Sequence, residues 1–262
     1  MKNHSKKKFL NIRKTYYVAE IGVNHLGKKG IASNFIKRLI KTDVDAITFQ
    51  ILPFEKMTKL KIDNLPEIFY IEKIKEIKKA KKKIGVAISD EKFINFFNKQ
   101  KIDFWKVLSI DFYNINLIKN LKKTNKPIYL STGFSSTKEI IDIKKMSSKI
   151  RFIHTNLSHD IKDANLSAIS SLQKVTNRKI AYGLHCDNHN VLYASATYNP
   201  ESIFFYVKNP VLNKIHDDRH AIDLNDINTI LKNLTDINKA VGSSKKIKYS
   251  MKNPEAKIKW EV

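Results

Sequence analysis

The sequence predicts an α/β protein folded as one (β/α)8 barrel, the TIM-barrel architecture. Short apolar runs alternate with longer amphipathic stretches along the chain, a pattern that implies parallel strands joined by helices. Eight such runs in 262 residues match a single barrel, which typically takes about 250 residues. No Gly-rich phosphate motif follows the first run, which argues against an open doubly wound sheet.

Each apolar run is five to seven residues long, which is typical of strands that are buried on both faces. The eight strands are predicted at 16–22, 44–50, 84–88, 103–108, 126–131, 151–156, 179–184 and 202–207.

The intervening stretches carry apolar residues at helical spacing, as Phe35, Ile36 and Leu39 do in the first. Ser136 and Glu139 have the spacing of a capping box, and Asp90 is placed to cap another helix. The other helices are predicted at 31–41, 66–82, 114–123, 136–145, 164–174, 191–197 and 224–240.

The chain divides into a basic N-terminal segment, 1–15, a barrel, 16–242, and a basic C-terminal extension, 243–262. The formal charge is +24, which is compatible with a polyanion partner. The lysines are spread along the chain, however, and abundant Lys, Ile and Asn are what AT-rich codons produce. We therefore expect no nucleic-acid partner.

Cys186 is the only cysteine, so no internal disulfide can form, which fits a reducing cytoplasm. No apolar stretch is long enough for a membrane span, and no signal-peptide pattern follows the basic start. We expect a cytoplasmic protein with no membrane partner.

In a TIM barrel, functional side chains lie at the carboxyl ends of the strands. These predicted ends carry acids, amides, hydroxyls and a lysine, a mixture that suits a hydroxylated or phosphorylated small molecule. Glu20 could act as a general acid or base if its pKa were raised, and Lys106 could neutralise a phosphate or carboxylate. The other candidates are Asn24, Gln50, Ser109, Ser131 and Asn156, with two histidine-rich stretches at 185–189 and 216–220.

Several motifs, in order along the chain, resemble the sialic acid (N-acetylneuraminate) synthase family. They read AEIGVNH at 19–25, DAITFQ at 45–50, WKVLS at 105–109, KPIYLSTG at 126–133 and DRHAIDL at 218–224. Each motif alone is weak, and their order makes the match specific.

The resemblance implies a TIM barrel, usually dimeric, that condenses phosphoenolpyruvate with an N-acetylated amino sugar. It also implies a divalent metal, Mn or Mg, that polarises the sugar aldehyde. By position, Glu20 and Asp218 would be catalytic, with Asp218 contacting the sugar. The resemblance implies these substrate-binding residues: Asn24, Gln50, Lys106, Ser109, Ser131 and Asn156.

The chain also departs from the family. Thr48 stands where the family has a phosphate-binding lysine, and about Val207 the family has a metal-binding histidine. Ser158 replaces an aromatic residue, and we expect no antifreeze-like C-terminal domain. Thr48 and Val207 favour an alternative, a catalytically degenerate paralogue that binds a sugar or phosphate or partners an active synthase.

Imidazole and carboxylate groups cluster after the seventh and eighth strands, and such groups are usual ligands of Mn, Fe or Zn. We therefore hypothesise a relocated metal site at His185, Asp187, His189 and His220. The alternative is that these are solvated loop residues, as loops often carry.

Overall fold

A computed structural model describes residues 15–211 and 216–242, and it confirms the predicted TIM barrel. Eight parallel strands pair in sequence order, and β1 also pairs with β8, which closes the barrel. The strands are β1 Tyr16–Glu20, β2 Ala46–Ile51, β3 Lys83–Ile88, β4 Phe104–Val107, β5 Ile128–Ser131, β6 Ile150–His154, β7 Ile180–Gly183 and β8 Ser202–Lys208. A two-residue strand, β9 Ile222–Asp223, extends the end of β8.

Helices surround the strands as the sequence predicts, with two differences. An additional short helix follows β2, and α7 begins four residues after the predicted start because Asn165 takes a left-handed backbone conformation, φ 42°. The helices are α1 Lys29–Leu39, α2 Phe54–Lys59, α3 Glu67–Lys79, α4 Ile94–Lys99, α5 Ile115–Lys123, α6 Thr137–Lys144, α7 Ala168–Thr176, α8 Asn190–Ala196 and α9 Ile227–Val241. The capping box of Ser136 and Glu139 is present at the start of α6.

Alternating side chains of each strand pack in two separate layers. One small cluster contains residues from six of the eight strands and therefore fills the interior of the barrel: Val18, Ala46, Phe104, Ile153, Ala181 and Phe204. The other residues of the strands, such as Ala19 and Val207, belong to the large layer between strands and helices. This alternation decides which side chains at the strand ends enter the mouth of the barrel.

No helix in the described ranges is both long and apolar enough to cross a membrane. The predicted terminal segments fall almost wholly on residues 1–14 and 243–262, which lie outside the described residues.

Gly85 on β3 provides a test of packing inside the barrel. A Cβ added there would lie 2.2 Å from Cε2 of Phe104. We expect Gly85→Ala to lower the free energy of unfolding by about 1–3 kcal/mol, because the added methyl group overpacks the interior of the barrel. Urea unfolding followed by circular dichroism measures this change.

Gly30 in α1 is the matched control, because a Cβ there would meet nothing within 4 Å. Gly30→Ala should leave stability unchanged or raise it by up to about 1 kcal/mol through helix propensity. Equal unfolding midpoints for the two variants would show that the interior at Gly85 is not tightly packed.

Candidate active site

A buried ion pair occupies the centre of the mouth. The Nζ of Lys106, on β4, lies 2.6 and 2.7 Å from the two carboxylate oxygens of Glu20, at the end of β1. Both side chains are about 95% buried. Burying two charges is costly unless they pair closely, so each of these groups depends on the other.

Three side chains surround the Glu20–Lys106 pair. Thr48 on β2 directs its hydroxyl towards Glu20, at 3.4 Å from Oε1. The ring of Tyr206 on β8 lies under the ammonium, with its centroid 5.5 Å from Lys106 Nζ, and its hydroxyl donates to Gln50 Oε1 at 3.1 Å. Burial first, and the nearby Glu20 second, raise the pKa of Tyr206 well above its usual value, which keeps the phenol neutral.

Asp217 enters the mouth from the loop after β8. Its backbone N–H donates to Asn24 Oδ1 at 3.2 Å, while Asn24 Nδ2 donates to the carbonyl of Val207 at 3.0 Å. A Cβ on Gly22, whose φ is +58°, would lie 2.9 Å from the Asp217 carboxylate, so only glycine leaves room. Burial, and then the charge of Glu20, raise the pKa of Asp217 to about 7.

Three histidine rings cluster beside Asp217. The ring of His220 lies 4.6 Å from that of His185 and 5.3 Å from that of His159, centroid to centroid. Burial is the main cause that lowers the pKa of His185 to about 3 and of His220 to about 4, so both are neutral at pH 7. Both ring nitrogens of His220 are buried, and neither has a hydrogen-bond partner among residues 15–211 and 216–242.

Hydroxyl and amide groups line the opposite side of the mouth, after β4, β5 and β6. Ser109 Oγ accepts the backbone N–H of Gly133 at 3.1 Å, and its own proton is left to donate. Ser131 and Thr132 are buried at the end of β5. Asn156 Nδ2 donates to the carbonyl of Asp163.

Together these groups can bind an anion next to a carboxylate. Lys106 supplies one positive charge, the serine hydroxyls supply donors, and Glu20 and Asp217 are two carboxyl groups in different environments. Such a pair suits proton transfer, because one carboxyl group holds its proton to a higher pH than an ordinary acid does.

Comparison with known proteins places the chain in a family. The model of the NeuB family matches residues 36–246, most of the chain. The chain belongs to the NeuB family. The resemblance to sialic acid synthases drawn from the motifs is therefore confirmed.

Two curated relatives illustrate the range of this NeuB-family match. The chain is 30% identical over 187 residues to uncharacterized protein MJ1065 of Methanocaldococcus jannaschii, covering 65% of this chain and 55% of that protein. It is 22% identical over 281 residues to the N,N'-diacetyllegionaminic acid synthase of Campylobacter jejuni, covering 94% and 83%. The chain spans little more than half the length of most of the curated relatives it matches.

Among solved structures, the sialic acid synthetase of Leptospira borgpetersenii matches this NeuB-family chain with a TM-score of 0.84 and 20% sequence identity. The match covers 94% of this chain and 92% of that chain. At this identity it shows a shared fold.

The NeuB-family barrel brings most of the predicted site residues together, but not all. Glu20, Gln50, Lys106, Ser109 and Ser131 line the mouth. Asn24 is fully buried, and both ends of its amide are already hydrogen bonded, so it ties β1 to the loop after β8.

The structure corrects the prediction that Asp218 is the catalytic acid, because the neighbouring residue occupies that position. Asp218 is exposed on the rim, where its carboxylate pairs with Lys208 at 2.9 Å. Asp217 is the acid near Glu20. Likewise, Val207 packs outward between strands and helices, and Tyr206 is the residue of β8 that enters the mouth.

The four predicted metal ligands do not form a metal site. Asp187 is exposed and pairs with Arg219 at 2.6 Å and with His159 at 3.2 Å. His185 and His220 are stacked, whereas a shared ion must lie near the plane of each ring that binds it. His189, at the start of α8, is half-buried. Among residues 15–211 and 216–242, no group of three or more His, Cys, Asp or Glu side chains could hold a metal ion.

Three further residues belong to the mouth but are not among the predicted site residues: Asp217, Tyr206 and His159. Asp217 lies within the histidine-rich stretch 216–220, and it directly precedes the Asp218 that the family resemblance selects. Shifting that match by one residue would have found it. Alternation along β8 places Phe204 and Tyr206 on one face, which was the available signal for Tyr206. His159, five residues beyond β6, had no such signal.

Asp217 should make stability depend on pH. The folded chain keeps this carboxyl protonated up to about pH 7, whereas in the unfolded chain it ionises near 3.8. Unfolding between these values releases a proton, so this group lowers stability as the pH rises from about 4 to about 7. Asp217→Asn has no carboxyl group to ionise, so it lacks this loss of stability. The loss amounts to about 1.4 kcal/mol for each unit between the folded and unfolded pKa values.

The variant should therefore gain stability relative to the parent between pH 5 and pH 8, as measured by urea unfolding at both values. Asp218→Asn is the matched control, because Asp218 is exposed next to Asp217 in the sequence. An identical pH dependence in Asp217→Asn and the parent would contradict the burial of a protonated carboxyl.

Proposed function

We propose that this chain condenses phosphoenolpyruvate with an N-acetylated amino sugar, of the N-acetylmannosamine kind, to a nine-carbon 2-keto acid sugar, releasing phosphate. The observation that carries the proposal is the buried Glu20–Lys106 pair at the carboxyl end of a NeuB-family barrel. Curated relatives include a legionaminic acid synthase and pseudaminic acid synthases.

The reaction forms one carbon–carbon bond, and at C2 a carbon–oxygen bond to the oxygen of water replaces the carbon–oxygen bond to phosphate. C3 of phosphoenolpyruvate attacks the aldehyde carbon of the open-chain sugar, and the aldehyde oxygen takes up a proton. A water oxygen adds to C2, and phosphate leaves as the 2-keto group forms.

The positions of the side chains suggest a role for each. Lys106, with Ser109 and Ser131 beside it, would bind the carboxylate and phosphate of phosphoenolpyruvate. Glu20 would then exchange its contact with Lys106 for proton transfer to or from the reacting atoms. Asp217, rather than Asp218, would be the acid that supplies a proton to the sugar oxygen, because it lies inside the mouth.

Gln50 and Asn156 would contact the sugar, since both are half-buried at the margin of the mouth. These roles use the chain's own side chains, and no step is assigned to a metal. We also propose that the chain forms a homodimer in the cytoplasm.

A second candidate is a degenerate paralogue that binds a sugar or phosphate without turnover. It is favoured because Glu20 contacts Lys106 through both carboxylate oxygens and Thr48 supplies only a neutral hydroxyl. A neutral hydroxyl does not replace a cation in holding a phosphate.

Phosphate release from phosphoenolpyruvate tests the proposed reaction. The assay contains N-acetylmannosamine or a related amino sugar and is run with and without manganese. We expect the parent protein to release phosphate only when a sugar is present. Glu20→Gln should reduce the rate by about 100-fold or more, the usual contribution of a positioned acid or base. Glu201→Gln is the control, because Glu201 precedes β8 at the opposite end of the barrel.

Removing Glu20 leaves Lys106 as an unpaired buried charge, which is destabilising. Circular dichroism must therefore show that Glu20→Gln is folded, and the double variant Glu20→Gln/Lys106→Met serves if it is not. A folded parent that binds phosphoenolpyruvate but releases no phosphate with any sugar would support the degenerate paralogue.

Thr48→Lys tests whether the mouth holds the phosphate. The substitution places a second ammonium beside Glu20, and a charge-assisted contact contributes about 1.5–3 kcal/mol. We expect inorganic phosphate to bind about tenfold or more tightly to this variant, measured by isothermal titration calorimetry. Thr58→Lys on the exposed side of α2 adds the same charge outside the mouth. Equal affinity in the two variants would place the phosphate elsewhere.

A further inference from the structure

The end of the barrel opposite the mouth is built from the loops that lead from a helix into the next strand. All eight strands point their carboxyl ends at the mouth, so these loops share the other end, which we call the basal face. The basal loops are residues 40–45, 80–82, 100–103, 124–127, 145–149, 177–179 and 197–201. The described segments at the mouth are residues 21–28, 52–66, 89–93, 108–114, 132–136, 155–167, 184–189, 209–211 and 216–226.

The two ends of the barrel carry opposite charge. The basal loops contain nine basic and four acidic residues, a formal charge of +5. The described mouth segments contain seven basic and twelve acidic residues, a formal charge of −5. Lysines that are spread along the sequence, and whose spread gave no reason to expect an anionic partner, are therefore gathered by the fold at one end.

The positive charge of the basal face is not neutralised by ion pairs. Of the nine basic residues of the basal loops, Lys145 alone forms an ion pair within the described part of the chain, with Asp142 at 2.7 Å. Lys83, the first residue of β3, adds an ammonium group 4.8 Å from the ring centroid of the exposed Tyr16. Together with three aspartates, five lysines line a groove of about 620 Å³ on this face: Lys81, Lys82, Lys83, Lys232 and Lys239.

Both ends of the described barrel lie at the basal face. Thr15 precedes β1, and its hydroxyl donates to the carbonyl of Pro200, in the last basal loop, at 3.1 Å. Near the end of α9, Asn238 donates to the hydroxyl of Tyr17 at 3.2 Å. The N-terminal and C-terminal segments of the chain therefore join the barrel at its basic end.

These two segments have the same sign of charge as the basal face. Residues 1–14 contain six basic residues and no acidic ones, and residues 243–262 contain six lysines and two glutamates. Each segment also contains large apolar side chains, among them Phe9, Leu10 and Trp260. Lysine combined with apolar and aromatic side chains is typical of segments that bind the surface of an anionic bilayer.

The kind of basic residue favours a lipid surface over a nucleic acid. Eight of the nine basic residues of the basal loops are lysines, and lysine acts as a flexible point charge. The exception is Arg178, whose guanidinium already donates to the carbonyls of Ile150 and Lys144, at 2.9 and 3.1 Å. Proteins that read nucleic acids rely on free arginine forks and stacked aromatic rings.

We propose that the basal face docks on the surface of an anionic lipid bilayer, with the mouth turned away from it. The acidic mouth segments are repelled by the surface that attracts the basal loops, so one orientation is selected. Water-soluble substrates then reach the mouth from solution. The docking surface and the mouth are opposite ends of the barrel, so this proposal does not rest on the proposed reaction.

Binding to lipid vesicles tests this proposal on the full chain. Co-sedimentation measures binding to vesicles of equal parts phosphatidylglycerol and phosphatidylcholine, and to vesicles of phosphatidylcholine alone. We expect the parent to bind the anionic vesicles and not the neutral ones. High salt should release it, because screening shortens the reach of the charges.

The triple variant Lys81→Gln/Lys83→Gln/Lys101→Gln removes three exposed ammonium groups from the basal face. A lysine next to an anionic leaflet strengthens binding by about fivefold, so this variant should bind the anionic vesicles about 100-fold more weakly. The matched control is Lys28→Gln/Lys59→Gln/Lys61→Gln, which removes the same charge from exposed positions at the mouth and should keep most of the parent's affinity.

Circular dichroism should show that both triple variants are folded. The proposal is overturned if the parent binds neutral and anionic vesicles equally, or if the basal variant binds as tightly as the parent. Equal weakening in the two triple variants also overturns it, because net charge alone would then explain the binding. Tighter binding to a DNA duplex than to the anionic vesicles, lost in the basal variant, would make nucleic acid the partner instead.

Discussion

The site depends on closure of the barrel, in which β1 pairs with β8 with Glu20 opposite Tyr206. Closure directs Glu20, Lys106 and Tyr206 into one enclosed space although 86 residues separate the two charged groups in the sequence. An ion pair this deeply buried stabilises the fold only while both partners are present. In the proposed reaction, an anion that takes Lys106 must therefore leave Glu20 either protonated or bonded to the substrate.

The titratable groups around the Glu20–Lys106 ion pair are mostly neutral, so they add little charge to the mouth. His185 and His220 are uncharged at pH 7, and Asp217 keeps its proton up to about that pH. The mouth therefore contains groups that can exchange protons without adding net charge to a buried space. That arrangement suits a reaction in which a sugar oxygen gains a proton and a water molecule loses one.

Periodicity predicted the architecture because strand and helix patterns repeat along this chain, and it placed most strands within one or two residues. It could not fix the register of side chains at the mouth. Asp217 and Asp218 are adjacent, yet one lies inside and the other pairs with Lys208 on the rim, a difference set by the hydrogen bond from Asp217 to Asn24. On β8, a shift of one residue exchanges Val207 for Tyr206 and thereby exchanges the two faces of the strand.

The positions of some lysines at helix ends explain part of the chain's net charge of +24. Basic residues occupy the last turns of α1, α3 and α5, where Lys37, Lys78 and Lys122 face the negative ends of the helix dipoles. Because each helix runs antiparallel to its strand, these turns lie at the end of the barrel opposite the mouth. These basic residues thus stabilise helix ends and lie away from the mouth. In the proposed reaction, an anionic substrate in the mouth would be held by the buried ammonium of Lys106 and by the surrounding hydrogen-bond donors.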